Sequence, residues 1–542
     1  MVCASGLSPS GPIHLGNLRE VMTPHLVADE IRRRGYDCVH VLSWDDFDRF
    51  RKVPHGAGVD DLGWEEHIGK PLTAVPAPPG SPYASWAEHF KQPMIEAMAQ
   101  LGIEVHPISQ TEKYTSGAYR EQVLLAMRER AKIDEVLGRY RTKIAKSGAE
   151  TEDADEAAAA EGSGAADEDD GGSSAGYFPY KPYCANCDKD LTTVTAYDDA
   201  TTALTYTCNA CGHTETVLLN EHTRGKLVWK VDWPMRWAYE GVVFEPSGVD
   251  HSSPGSSFVV GSQLVREVFG SEPPIGPMYA FVGIAGMAKM SSSKGGVPTA
   301  SDALEIMEPP LLRWLYARRR PNQSFKVAFD AEIQRMYDEW DALSRRVADG
   351  SVNAADALAY QRATETVSAG KLPLTPHPLP YRTLASIVDI TAGNEEQTFR
   401  ILSDLDPADP LASLDEARPR LDCAERWMLT KVPAEQRTQV RTEPDTALLS
   451  TLDERQRESL RMLADGLADH WSLEGLTSLV YGVPKRQLGL PLDVKPTPEL
   501  KVAQREFFAL LYHLIVGRDT GPRLPTLLLA VGADRIRTLL GQ

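Results

Sequence analysis

The chain has 542 residues, 42% of them hydrophobic and 25% charged, with a formal net charge of −19 at neutral pH. That length accommodates three or four domains with cores of their own. No apolar run is long enough to span a bilayer and no signal peptide precedes the first apolar segment, so a soluble cytoplasmic protein is expected. The negative charge argues only weakly against a nucleic-acid partner. Ten acidic residues and no Lys or Arg fall within 147–176, so about half of the net charge sits in one segment. The remainder can still carry a local basic surface.

Residues 1–20 begin with a short apolar strand (Val2, Cys3, Ala4). A turn of small residues follows (Ser5, Gly6, Ser8, Pro9, Ser10, Gly11, Pro12). Then come His14, Gly16 and Asn17, and a helix with Leu15, Leu18, Met22 and Leu26 at helical spacing. A strand, a tight turn and a helix start bring backbone N–H groups and a positive helix end up to phosphate. Gly16 leaves space for a flat base or ribose. Taken alone, an ordinary strand-to-helix turn with an incidental histidine fits equally well.

Residues 38–43 read as a second buried strand, making 1–45 a βαβ unit of a parallel sheet. Past its end lie Trp44, Asp45, Asp46, Asp48, Arg49, Arg51 and Lys52, at the edge where open α/β sheets bind ligands. A solvated loop with internal ion pairs is the alternative. Pro and Gly between 53 and 84 predict a long surface loop. Trp86, Phe90, Met94, Ala97 and Leu101 predict an amphipathic helix, 103–108 a strand, and 111–137 a helix. Residues 146–176 are acidic, rich in Ala, Gly and Ser, and without aromatics, as in a disordered linker.

Cys184-x-x-Cys187 is followed, after twenty intervening residues, by Cys208-x-x-Cys211. Each pair can set two thiolates on one turn, and two facing turns make a four-sulfur Zn²⁺ site of structural type. A redox disulfide pair, or His213 in place of one cysteine, is the competing reading. From 226 the α/β pattern returns, with strands expected at 227–231 and 278–282 and a helix at 262–269. Lys289-Met290-Ser291-Ser292-Ser293-Lys294 then leads into Gly295 and Gly296. Such a mobile, cationic, donor-rich loop can close over a triphosphate, though alone it could be any Ser-rich surface loop. Beyond 304 no strand pattern persists, and 330–542 read as all-α, with Leu500, Ala503, Phe507, Leu511 and Leu514 marking one amphipathic helix. Arg345, Arg346, Arg426, Arg437 and Arg441 on these helices suit either RNA phosphate recognition or an ordinary helical surface.

With these residues in view, the chain resembles the class I aminoacyl-tRNA synthetases, most closely the class I lysyl-tRNA synthetases. The resemblance rests on Pro9-Ser10-Gly11-Pro12-Ile13-His14-Leu15-Gly16-Asn17, similar to the family's "HIGH" motif, and on residues 289–293, similar to "KMSKS". Asp232-Trp233-Pro234-Met235-Arg236-Trp237, Asp250-His251 and the stretch from Ser43 to Pro54 add support. It covers residues 1 to about 320 by motif and the remainder by architecture.

The resemblance implies a Rossmann-type parallel-sheet catalytic domain in two halves, 1–112 and 226–300. A connective insertion at 113–225 would carry the linker and a zinc ribbon at 180–215. Stem-contact helices at 301–369 and an all-α anticodon-binding domain at 370–542 would follow. It also implies a monomer, with no membrane partner, that uses L-lysine, ATP with Mg²⁺, and tRNA(Lys). His14, Asn17, Lys289, Ser292 and Lys294 would serve catalysis. Pro9, Ser10, Gly11, Gly16, Met290, Ser291 and Ser293 would join them around ATP. Gly6, Ser8, Glu20, Trp229, His251 and Tyr279 would form the lysine pocket, with Glu20 facing the ε-ammonium. Zinc would be held by the four cysteines.

Three departures stand out. Asn17 replaces the second histidine of "HIGH", and Ser292 replaces the second lysine of "KMSKS", with Lys294 two residues later. The family also carries a segment ahead of the first strand, whereas five residues precede Gly6 here, so an upstream start or a shortened copy is expected. The rivals are the tryptophanyl and glutamyl members of the class, and a paralogue that binds lysine or an analogue without charging tRNA.

Overall fold

A computed structural model describes the chain except residues 55, 56, 61, 148–171, 174, 175, 252–255, 286–296, 392 and 407. Most of the expected linker and all of Lys289, Met290, Ser291, Ser292, Ser293 and Lys294 therefore lie outside the described residues. The chain forms two compact units. The first comprises Met1–Leu304, Pro309–Ala328 and Val352–Pro373; the second comprises Glu305–Glu308, Phe329–Ser351 and Leu374–Gln542.

The first unit is built on a four-stranded parallel sheet. β1 (Val2–Leu7) and β2 (Val39–Trp44) pair in register from Val2–Val39 to Leu7–Trp44, connected by helix α1 (Leu18–Arg33). After α2 (Trp86–Gln100), β3 (His106–Ser109) joins the far side of β2, and an edge strand, Val242–Phe244, joins β1. Successive residues of a strand face opposite ways, and β1 uses both faces. Cys3 packs with Ala28 of α1, while Ala4 packs with Trp233 and Trp237 on the other side. The sheet is thus buried on both faces, as parallel sheets require.

The structure corrects several sequence expectations. Residues 53–84 are not merely a surface loop: Ala57, Val59, Leu72 and Val75 form an apolar cluster with Phe50, Trp86 and Phe90. Pro and Gly mark turns there, but the apolar side chains between them still find a core. The expected strand at 227–231 is a short strand, Gly225–Leu227, followed by a helix, Trp229–Glu240. The β-prone run Leu-Val-Trp-Lys-Val hid the helical spacing of Trp229, Trp233 and Trp237. The helix expected at 111–137 is divided into Gln110–Thr115, Arg120–Arg128 and Arg130–Ser147, the first break at Gly117 with φ +77°. The strand expected at 278–282 is split into Met278–Tyr279 and Val282–Ile284. Beyond 304 there are strands after all: Phe325–Val327 pairs in parallel with Val282–Ile284, and Glu365–Thr366 forms a hairpin with Gly370–Lys371. Strands of two or three residues are too short for a period-2 signal to register.

The second unit is predominantly helical. Its buried Arg420 donates to Glu308 and Asp341, both at 2.8 Å, and to the Leu379 carbonyl at 3.0 Å, while lying over the Tyr337 ring. Of the arginines singled out for RNA, Arg345, Arg346 and Arg426 are exposed. Arg437 and Arg441 are half-buried instead and donate to backbone carbonyls: Arg437 to Leu429 and Val432, Arg441 to His513. Among the described residues no helix is long and apolar enough to cross a membrane.

Candidate functional site

A cavity of about 300 Å³ opens at the C-terminal ends of the parallel strands. The turn after β1 contributes Gly6, Ser8, Ser10 and Gly11, and the helix start contributes His14, Gly16 and Asn17. Pro9 does not reach the lining. Glu20, in the first turn of α1, meets the Tyr279 hydroxyl, which donates to its carboxylate. Trp229 and His251 complete the wall. Residues from four separate stretches of sequence thus converge on one cavity.

Two features bring Tyr279 to Glu20. The strand carrying it, Met278–Tyr279, pairs with Ser247–Gly248. Arg19, 3% exposed, donates to the carbonyls of Ala280 and Gln323 at 2.9 Å and of Arg320 at 3.0 Å. Arg19 was missed in the sequence, where it reads as one of many helix-surface arginines. The hint available was its position between Leu18 and Val21 on the buried side of α1.

His14 is 5% exposed, and its Nδ1 has no protein partner among the described residues. Burial pushes its imidazole down to about 4, so it is neutral at physiological pH. The residues flanking the second motif are close by: Leu15 N–H donates to the Pro298 carbonyl at 2.8 Å, and His14 bridges Thr299. The chain on the C-terminal side of residues 286–296 is thereby anchored against the first motif.

The cavity floor is charged. Arg236 donates to Asp45 at 2.5 Å, to Ser43 at 3.1 Å and to Asp232. Tyr114 donates to the other Asp232 oxygen at 2.5 Å, and Lys226 pairs with Asp48. Burial raises Asp45 to about 6 even against the pull of Arg236. Asp46 plays a different part: it accepts from Lys91 and Ser109 at 2.7 Å and from Thr111 N–H at 2.8 Å, pinning the end of β3. The charged stretch after β2 is therefore divided between the cavity and the scaffold. A run of like residues in sequence carries no mark of which is which.

The insertion forms a three-stranded antiparallel ribbon, Thr192–Tyr197, Ala203–Cys208 and Thr214–Leu218. Its two Cys-x-x-Cys turns are built alike. Asp188 N–H donates to the Cys184 carbonyl at 2.9 Å, and Gly212 N–H to the Cys208 carbonyl at 2.8 Å. Each turn ends on a left-handed residue, Asp188 at φ +63° and Gly212 at φ +74°. The four sulfurs lie within 4.8 Å of one another, with Cys184–Cys211 and Cys187–Cys208 both at 3.6 Å. A tetrahedron of sulfurs at ~2.3 Å from a central zinc has edges of ~3.8 Å. The donor set therefore fits a closed four-thiolate metal site, and the separations are too long for disulfides.

Residues 1–369 match the family model described as "tRNA synthetases class I (K)". A lysine–tRNA ligase of Streptomyces coelicolor is 71% identical, covering 100% of this chain and 94% of that protein. A lysine–tRNA ligase of Pyrococcus horikoshii is 33% identical over 97% of this chain and 93% of its own length. Among solved structures, a glutamate tRNA ligase from Elizabethkingia meningosepticum covers 100% of this chain and 98% of its own, at 12% identity and a TM-score of 0.40.

Proposed function

The chain belongs to the class I tRNA synthetases of the (K) type, and from that premise we propose that it ligates L-lysine to tRNA(Lys) through a lysyl-adenylate. The observation that carries the reading in this molecule is the Glu20–Tyr279 pair, which shares one cavity with the small-residue turn and helix start suited to phosphate.

In the first step a lysine carboxylate oxygen attacks the α-phosphorus of ATP. A carboxyl–phosphorus bond forms, the bond between the α-phosphorus and its bridging oxygen breaks, and pyrophosphate leaves. In the second, the 2′-hydroxyl of the terminal adenosine attacks the lysyl carbonyl, expelling AMP, and its proton departs to solvent or phosphate. Neither step needs an enzyme nucleophile. The protein's task is positioning and stabilising charge.

Gly6 and Ser8 would border the amino acid, with Glu20 and Tyr279 holding its ε-ammonium and Trp229 and His251 walling its aliphatic stem. Ser10, Gly11, His14, Gly16 and Asn17 would face ATP, and the neutral His14 would act as a hydrogen-bonding group rather than a fixed cation. Pro9, outside the lining, would shape the turn. Lys289, Met290, Ser291, Ser292, Ser293 and Lys294 keep their proposed part over the β- and γ-phosphates on the strength of the motif. Mg²⁺ would arrive with ATP. Zinc would be held by the thiolates of Cys184, Cys187, Cys208 and Cys211. The helical unit would bind the anticodon arm, and the protein would act as a cytoplasmic monomer.

Aminoacylation of unfractionated tRNA tests the whole reading: lysine is charged, and glutamate and tryptophan are not. Lysyl-adenylate formation without charged tRNA would refute it in favour of a non-charging paralogue.

Gly6 supplies a sharper local test. A Cβ there would lie 3.9 Å from the Ser43 carbonyl and 4.0 Å from Asp45 Oδ2, ordinary contacts that the fold tolerates. Gly6→Ala is expected to leave Tm within ~1 °C while raising the lysine KM about tenfold, because the methyl enters space meant for substrate. For tRNA, Arg345→Ala/Arg346→Ala is expected to raise the tRNA Kd about tenfold and reduce its salt dependence, with ATP–pyrophosphate exchange unchanged. Filter binding at two salt concentrations measures it.

A further inference from the structure

The helix Trp229–Glu240 carries Trp229, Trp233 and Trp237 four residues apart, so the three indoles line one face. Trp229 stacks on Trp233 with centroids 5.1 Å apart and 16° between the planes. Trp233 also meets Trp237 at 5.0 Å and stands edge-on to His251 at 5.9 Å. Beneath the row is Glu245, 5% exposed, one residue past the edge strand. One of its oxygens accepts from the Trp233 indole N–H at 3.0 Å, the other from that of Trp237 at 2.6 Å.

A buried carboxylate is a costly way to support packing. Nor does this chain require an acceptor wherever it buries an indole, since the N–H groups of Trp64 and Trp86 have no protein acceptor among the described residues. What a carboxylate adds is direction. Two fixed N–H bonds set the ring planes of Trp233 and Trp237, and through stacking that of Trp229. We propose that Glu245 is a positioning residue of the amino-acid pocket, holding Trp229 and His251 in the arrangement that receives the substrate's aliphatic stem. This rests on the lysine-pocket reading given above.

The clamp has a pH signature. Burial pushes Glu245 up to about 7, against the pull of the two indole N–H groups and Arg236, while Asp45 adds to the rise. The charged and titratable groups around it are Arg236 on the tryptophan helix, Asp45 at the end of β2, and His251 beside Trp233. Protonation occupies one carboxylate oxygen and loosens an indole bond. Lysine binding therefore weakens as pH falls from 8 to 6.

The test uses the full-length, zinc-loaded protein in lysine-dependent ATP–pyrophosphate exchange. Glu245→Gln leaves only one carbonyl acceptor for two indoles. It is expected to raise the lysine KM about tenfold with kcat and the ATP KM little changed, and to flatten the pH dependence of the lysine KM. In a Trp229→Phe background the same substitution should change the lysine KM by clearly less than about tenfold, because one of the two groups it positions is gone. Unchanged lysine KM, or additive effects in the double variant, would reduce Glu245 to core packing. Should the variant not fold, the wild-type protein still decides the matter. Its tryptophan fluorescence is expected to titrate near pH 7, with a midpoint lowered by bound lysine, and a midpoint indifferent to lysine overturns the proposal. Wild-type protein that exchanges with no lysine at all sinks the lysine reading itself, which is a separate result.

Discussion

Glu20→Gln is expected to lower kcat/KM for lysine in pyrophosphate exchange by two to three orders of magnitude. The loss should appear almost entirely in the lysine KM. An ammonium brought into a partly closed site without its carboxylate forfeits a charge-assisted bond and keeps its desolvation cost, together about 3–4 kcal/mol. In the proposed pocket Glu20 would face the far end of the substrate from the reacting carboxylate, so its contribution would be equal in ground and transition states and leave kcat nearly untouched. The ATP KM should stay within about twofold. Tyr279→Phe removes only the hydroxyl that donates to Glu20 and should cost about tenfold. An unchanged lysine KM in the Glu20 variant would place the ε-ammonium elsewhere.

The second large effect concerns the four cysteines. Elemental analysis of protein purified without chelator is expected to find one zinc per chain, and Cys208→Ser protein none. The ribbon strand Thr214–Leu218 has no fully buried residue, so that edge of the ribbon has little packing to hold it. Metal binding by four thiolates supplies folding free energy on the order of 10 kcal/mol, far more than the packing there can. Without it the ribbon should open to protease while the helical unit resists. Activity should fall as well, because Lys181 and Asp190, flanking the first cysteine pair, also line the cavity. A zinc-free protein of normal protease resistance would refute the metal assignment.

The site divides into parts that local sequence reveals and parts it cannot. The turn after β1 was legible because phosphate-type turns are written in consecutive small residues, and the cysteine pairs because ligand spacing is itself local. Glu20 and Tyr279 are 259 residues apart, and only the family resemblance put them in one pocket before the structure did. Arg19 and Glu245 escaped notice, and Arg236 was quoted in a motif without a role, for a related reason. An arginine donating to three carbonyls reads like any surface arginine, and a glutamate under two indoles reads like any solvated one.

By itself, then, the amino-acid order determined the βαβ start, the metal turns, the helical C-terminal region and, through its motifs, the family and the reaction class. Those features depend on periodicity and spacing within a few residues or on paired signatures. Which charges face substrate and which brace the scaffold was decided only by tertiary structure. Asp45 meets Arg236 in the cavity while its neighbour Asp46 meets Lys91 beneath it, and nothing in two adjacent aspartates distinguishes them. Both lie past the end of β2, in the turn that follows it, and only the partners that the fold brings to each give each carboxylate its role.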